Sequence, residues 1–154
     1  MSSKKMELPK LTVEEKWQRA QVNLVYFLVS GIAYARSKGE SPEDFGTFTG
    51  NTAVPKWANR GKGVRILVEW LCRNKQQFSK FQMEILNESE KTIEARMKGF
   101  GTEDVKLWAE SGVTVDDYIR FFEKKWEAIA KSLGVEYKQR VEGEWTVFTA
   151  IETK

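Results

Sequence analysis

The chain has 154 residues, 41% of them apolar, with nine Phe, six Trp and four Tyr, which suits one sizeable core and is short for two ordinary domains. Its 25 Lys and Arg against 22 Asp and Glu leave a net charge of +3, mixed in sign along the chain, so charge gives no case for a nucleic-acid partner. The absence of histidine and the single cysteine, Cys72, exclude imidazole bases, Ser–His and Cys–His nucleophile pairs, intramolecular disulfides, multi-thiolate zinc and histidine-ligated haem or iron. No metal site and no cofactor is therefore assigned, and any catalysis falls to carboxylates, Tyr, Lys, Arg or Cys72.

Met1 to Lys10 carries lysines but no apolar stretch of signal-peptide type, so residues 1–11 read as an N-terminal tail and a cytoplasmic location is expected. Residues 12–154 read as a single α+β domain. Thr12 with Glu15 three residues later is a capping box, and Gly39 supplies a left-handed stop, which predicts a first helix over about 13–38. Val13, Trp17, Ala20, Leu24, Phe27, Leu28, Gly31 and Ala35 make one apolar stripe on it; Val22, Val25, Tyr26, Val29 and Ala33 make a second. Two stripes predict packing on both sides and a central position. The longest apolar run, Val22 to Ala35, is shorter than the roughly 20 residues a membrane span needs, so no membrane partner is expected.

Ser41, Pro42, Glu43 and Asp44 start a second helix, with a cap, a first-turn proline and acids at the positive end of the dipole. Gly46 and Gly50, one turn apart, permit close approach of a neighbouring helix, and Pro55 is expected to break or kink this one. A helix resumes near Val64 and runs to about Phe78. Alternation of Phe81, Met83 and Ile85, then Ile93, Ala95 and Met97, around polar Asn87 to Lys91 predicts a β-hairpin. Thr102 caps a short helix ended by Gly112. Thr114 and Asp117 open a longer one whose stripe runs from Val115 to Leu133 and stops at Gly134. Val135, Tyr137 and Val141, then Trp145, Val147 and Ile151, make a closing hairpin through Glu142 and Gly143. The expected fold is α+β, a central helix and further helices packed on a four-stranded antiparallel sheet made of two hairpins.

This order, with the closing LGVEYKQRVEGEWTVF in which a helix ends at Gly134 and leads into an aromatic hairpin, resembles the vinyl-reductase-type ligand-binding domains and their vesicle-tethering relatives. The resemblance is one of topology over most of the chain; the cysteines and the axial histidine used by members of that group have no counterpart here. It implies an apolar cavity enclosed between helices and sheet, and no particular chemistry.

Two places are candidates for a ligand. Arg19, Asn23, Ser30 and Tyr34 fall along the seam between the two stripes of the first helix, where buried polar groups need partners; those partners are a pocketed ligand or, more simply, other helices. Asn23, Ser30 and Tyr34, with Trp57 from the loop after Pro55, form the candidate ligand set. Arg60, Lys62 and Arg65, beside Gly61 and Gly63 and before a helix with no first-turn acid, form the candidate anion set, with a solvated basic loop as the plain alternative. Glu69 between Arg65 and Arg73 reads as a surface ion pair, and Cys72 as a small core residue. The expected function is binding of an apolar or amphipathic small molecule, an anionic one included. The rivals are a metal-independent enzyme using Tyr34 or a carboxylate as acid or base, and a homodimeric interaction module meeting through Gly46 and Gly50.

Overall fold

The computed structural model describes residue 6 and residues 8–153. The chain runs α1 (Val13–Ser37), α2 (Pro42–Trp57), α3 (Val64–Lys75), β1 (Gln82–Glu88), β2 (Thr92–Lys98), α4 (Thr102–Val105), a 3₁₀ segment (Lys106–Ser111), α5 (Val115–Ser132), β3 (Val135–Glu142) and β4 (Trp145–Glu152). Three helices begin with a reciprocal capping box, Thr12 with Glu15, Ser41 with Asp44 and Thr114 with Asp117. Each satisfies two of the amide groups that a helix start leaves unpaired.

The two hairpins join through β2 and β4 into one antiparallel sheet of order β1-β2-β4-β3. Alternation decides which face is covered: Ile93, Ala95 and Met97 of β2 and Phe148 and Ala150 of β4 are buried among the helices. The opposite face carries ion pairs, Arg96 with Glu84 and Arg140 with Glu94. The turn between β3 and β4 falls on Gly143 and Glu144, one residue later than expected, with φ 60° at Gly143.

The central helix is α5. It packs on β3 on one side and along α2 on the other, and Tyr118, Phe121, Phe122, Trp126 and Ile129 are all buried. Gly46 and Gly50 bring α2 against its backbone: a methyl group at Gly50 would lie 2.5 Å from the Lys125 carbonyl oxygen. The close approach expected at these glycines is therefore made within the chain, and the face offered as a homodimer contact is occupied by α5.

α1, expected at the centre, packs on one side only. Val25, Val29, Ile32 and Ala35 are buried, whereas Phe27 is 68% exposed and Tyr34 66% exposed. The apolar composition of the first helix is thus not matched by burial of both stripes. Pro55 does not break α2 either. It stands two residues from the helix end, so the bond lost for want of an amide proton falls in the last turn, and Trp57 closes the helix rather than lying in a loop. At α4 the residue before the helix is Gly101, with a left-handed φ of 91°, and Thr102 is its first residue without a capping bond. No helix among the described residues is long and apolar enough to cross a membrane.

Candidate functional site

The last turn of α2 delivers Lys56 and Trp57 to one spot, and the chain that follows returns Arg60 over α3. There α2, α3 and α5 border a solvent-open cleft of about 280 Å³, lined by Lys56, Trp57, Arg60, Asn74, Lys125 and Trp126 among others. Among the described residues, three cations and no carboxylate line it. None of the three makes an ion pair with a described residue, although the chain as a whole pairs many of its charges.

The aromatic groups fix this arrangement. Trp57 meets Trp126 edge to face at 5.6 Å and Trp70 at 6.3 Å. The Arg60 guanidinium lies 3.8 Å from the Trp70 ring centroid and 4.9 Å from that of Trp57, so cation–π attraction holds it without a carboxylate and leaves its hydrogen-bonding edge uncommitted. Trp126 is fully buried and its Nε1–H has no hydrogen-bond acceptor among the described residues. Asn74 donates its side-chain amide to the Trp70 carbonyl at 2.8 Å. Burial holds the Lys125 amine below the ordinary lysine range.

Next to Asn74 stands Lys75, the last residue of α3. It is 1% exposed, and its Nζ has no hydrogen-bond partner among the described residues. The amine is 3.1 Å from the centroid of the Phe122 ring, 4.3 Å from Phe100 and 5.9 Å from Phe78. Burial, and after it the charge of Lys125, drives its pKa well below the ordinary lysine value. A lysine whose stem alone is wanted for packing ordinarily carries its amine out to water, and this one does not.

The sequence-predicted residues are dispersed. Trp57 and Arg60 meet in the cleft. Lys62 is exposed, and Arg65 turns to Glu88 of β1 at 2.7 Å, so the Arg60, Lys62 and Arg65 set does not converge. Asn23 and Tyr34 lie on the exposed side of α1. Ser30 borders a separate open cleft of about 480 Å³, with Tyr26 and Trp108. Glu69 pairs with Arg73 at 2.8 Å as expected. Cys72 is half-buried and accepts a weak bond from Gln76. Buried side chains of the helices and the sheet form one core cluster, and the two clefts just described open to solvent.

Lys75, Asn74, Lys125 and Trp126 were not among the sequence candidates. A signal for two of them was present. Lys75 continues the buried spacing Val64, Val68, Leu71 and packs on Phe78 three residues on; Lys125 stands four after Phe121 and three after Phe122 on the buried stripe of α5. A lysine at a core position of an amphipathic helix is a polar residue that burial must explain. Among the described residues no group of three or more Cys, Asp or Glu gathers as a metal-ligand set. Comparison with protein-family models and with curated proteins finds no match to this chain.

Proposed function

We propose that this protein binds a small molecule carrying a carboxylate or phosphate group, in the cleft between α2, α3 and α5. One observation carries this reading: Lys56, Arg60 and Lys125 converge on a cleft lined by no carboxylate among the described residues. Three like charges at close quarters repel one another, and an anion between them relieves that repulsion while accepting charge-assisted hydrogen bonds. The uncommitted edge of Arg60 and the unpaired indole N–H of Trp126 support the same reading. The cleft volume fits a compound of a few heavy atoms to about a dozen.

The tryptophans supply the assay, since Trp57 and Trp126 line the cleft. Titration with inorganic phosphate and separately with pyruvate, against a sodium chloride control of equal ionic strength, is expected to give a saturable change in tryptophan fluorescence with at least one of them. Phosphate alone acting would point to a phosphorylated ligand, and pyruvate alone to a carboxylate. A response to neither, beyond that of chloride, would overturn the proposal.

A further inference from the structure

We infer that Lys75 is a nucleophilic amine that forms an imine with an aldehyde or ketone whose anionic group is held in the cleft, a 2-oxo acid being the simplest such compound. The inference rests on the anion-binding reading of the cleft and extends it from binding to a reaction.

The geometry supports it at three points. The amine has neither of the usual destinations of a lysine, a carboxylate or bulk water, and is enclosed by the rings of Phe78, Phe100 and Phe122. Its neighbour along α3, Asn74, lines the cleft, and Lys125, which also lines it, shares the Phe122 ring with Lys75. The two amines stand 5.5 Å and 3.1 Å from that ring's centroid. Finally, an apolar enclosure and a neighbouring cation both favour the free amine, the form with the lone pair that attack requires, and Lys125 is the charged group that acts on it here. The reaction requires the amine to turn on its flexible four-carbon stem from the Phe122 ring toward Lys125, which lines the cleft.

The step needs no oxidant and no cofactor. The nitrogen lone pair forms the C–N bond, the carbonyl π pair moves to oxygen, and a proton passes from nitrogen to that oxygen to give a carbinolamine. Loss of the hydroxyl as water, with the remaining proton of the nitrogen, leaves the C=N bond. The sequence is reversible, and water regenerates the amine.

The test is reductive trapping with pyruvate and sodium cyanoborohydride at pH 7, followed by peptide mass mapping of the full chain. Lys75 is expected to carry the reduced adduct at more than about tenfold the level of any exposed lysine. Arg60→Ala should lower it by weakening pyruvate binding in the cleft. Lys75→Met should lose the adduct while keeping the fluorescence response to pyruvate. Adducts confined to exposed lysines, with that response intact, would overturn the imine and leave the anion site standing. No response to pyruvate or phosphate, and no adduct on Lys75, would overturn both. An adduct on Lys75 that Arg60→Ala does not reduce would overturn the link between the amine and the cleft.

Discussion

Gly50 of α2 lies so close to the carbonyl oxygen of Lys125 on α5 that a methyl group there would stand 2.5 Å from it, and 2.8 Å from the Ala128 Cβ. The obstructing atoms are backbone and a β-carbon, neither of which can rotate away. Gly50→Ala should therefore force the two helices apart despite the better helix propensity of alanine. The expected loss is about 1–3 kcal/mol, the usual range for overpacking a close interface. A denaturant midpoint equal to that of the native protein would contradict this account of the α2–α5 contact.

Arg60 and Arg65, five residues apart, should behave differently. Arg60 lies over Trp57 and Trp70 at the cleft, whereas Arg65 is 71% exposed and paired with Glu88. Arg60→Ala is expected to weaken binding of phosphate or pyruvate about tenfold, the value of one charge-assisted hydrogen bond. Arg65→Ala and Lys62→Ala should leave affinity within about twofold, since exposed charges at this remove are screened. Equal losses from Arg60→Ala and Arg65→Ala, measured by fluorescence titration, would move the site to the loop around Gly61.

Lys75 makes stability depend on pH in a direction opposite to that of the usual paired lysine. Its folded pKa is depressed below the ordinary 10.5, so the unfolded chain binds more protons in the interval between the two values. Stability accordingly rises as pH increases through that interval, and the cost of the buried amine is fully present only below the folded pKa. Lys75→Met keeps a chain of similar length without the charge. It is expected to raise stability at pH 7 by about 1–3 kcal/mol, the range for relieving an unsatisfied buried polar group. The gain should shrink as pH approaches 10.5. Unfolding curves across pH 6 to about 10 check this; a gap that does not change with pH would mean that the amine titrates normally.

Local signals carried most of the fold. The capping pairs, the glycine stops and the alternating strands each act within a few residues of sequence, and the expected hairpins and three long helices appear within a few residues of where those signals put them. What α1 packs against is a long-range property. Its second stripe contains Tyr26 and Val29, yet α5 rather than α1 takes the central position, because the glycines of α2 can approach only one helix backbone so closely. The cleft divides in the same way. Trp57 and Arg60 were visible as an aromatic and a cation beside a proline and two glycines, but Asn74, Lys125 and Trp126 reach the cleft from two other helices, and no spacing rule brings them together.

Tyrosine shows the same division, and the last prediction tests it. The seam on the first helix singled out Tyr34, which the fold leaves 66% exposed. Tyr118, on the capped helix that became central, is fully buried and donates its hydroxyl to the carbonyl of Phe100 at 2.9 Å. Gly101, with a φ of 91° and no space for a Cβ beside that hydroxyl, lets the loop come this close. Tyr118→Phe keeps the ring and removes only the donor, leaving the Phe100 carbonyl without this partner in a dry setting. It should cost about 1–2 kcal/mol. Tyr34→Phe removes a hydroxyl already served by water and should change stability by less than about 0.5 kcal/mol, with no effect on phosphate or pyruvate binding. Urea unfolding of the two variants side by side decides the point. A larger loss from Tyr34→Phe than from Tyr118→Phe would mean that α1 is buried on both sides after all, as its two apolar stripes suggested.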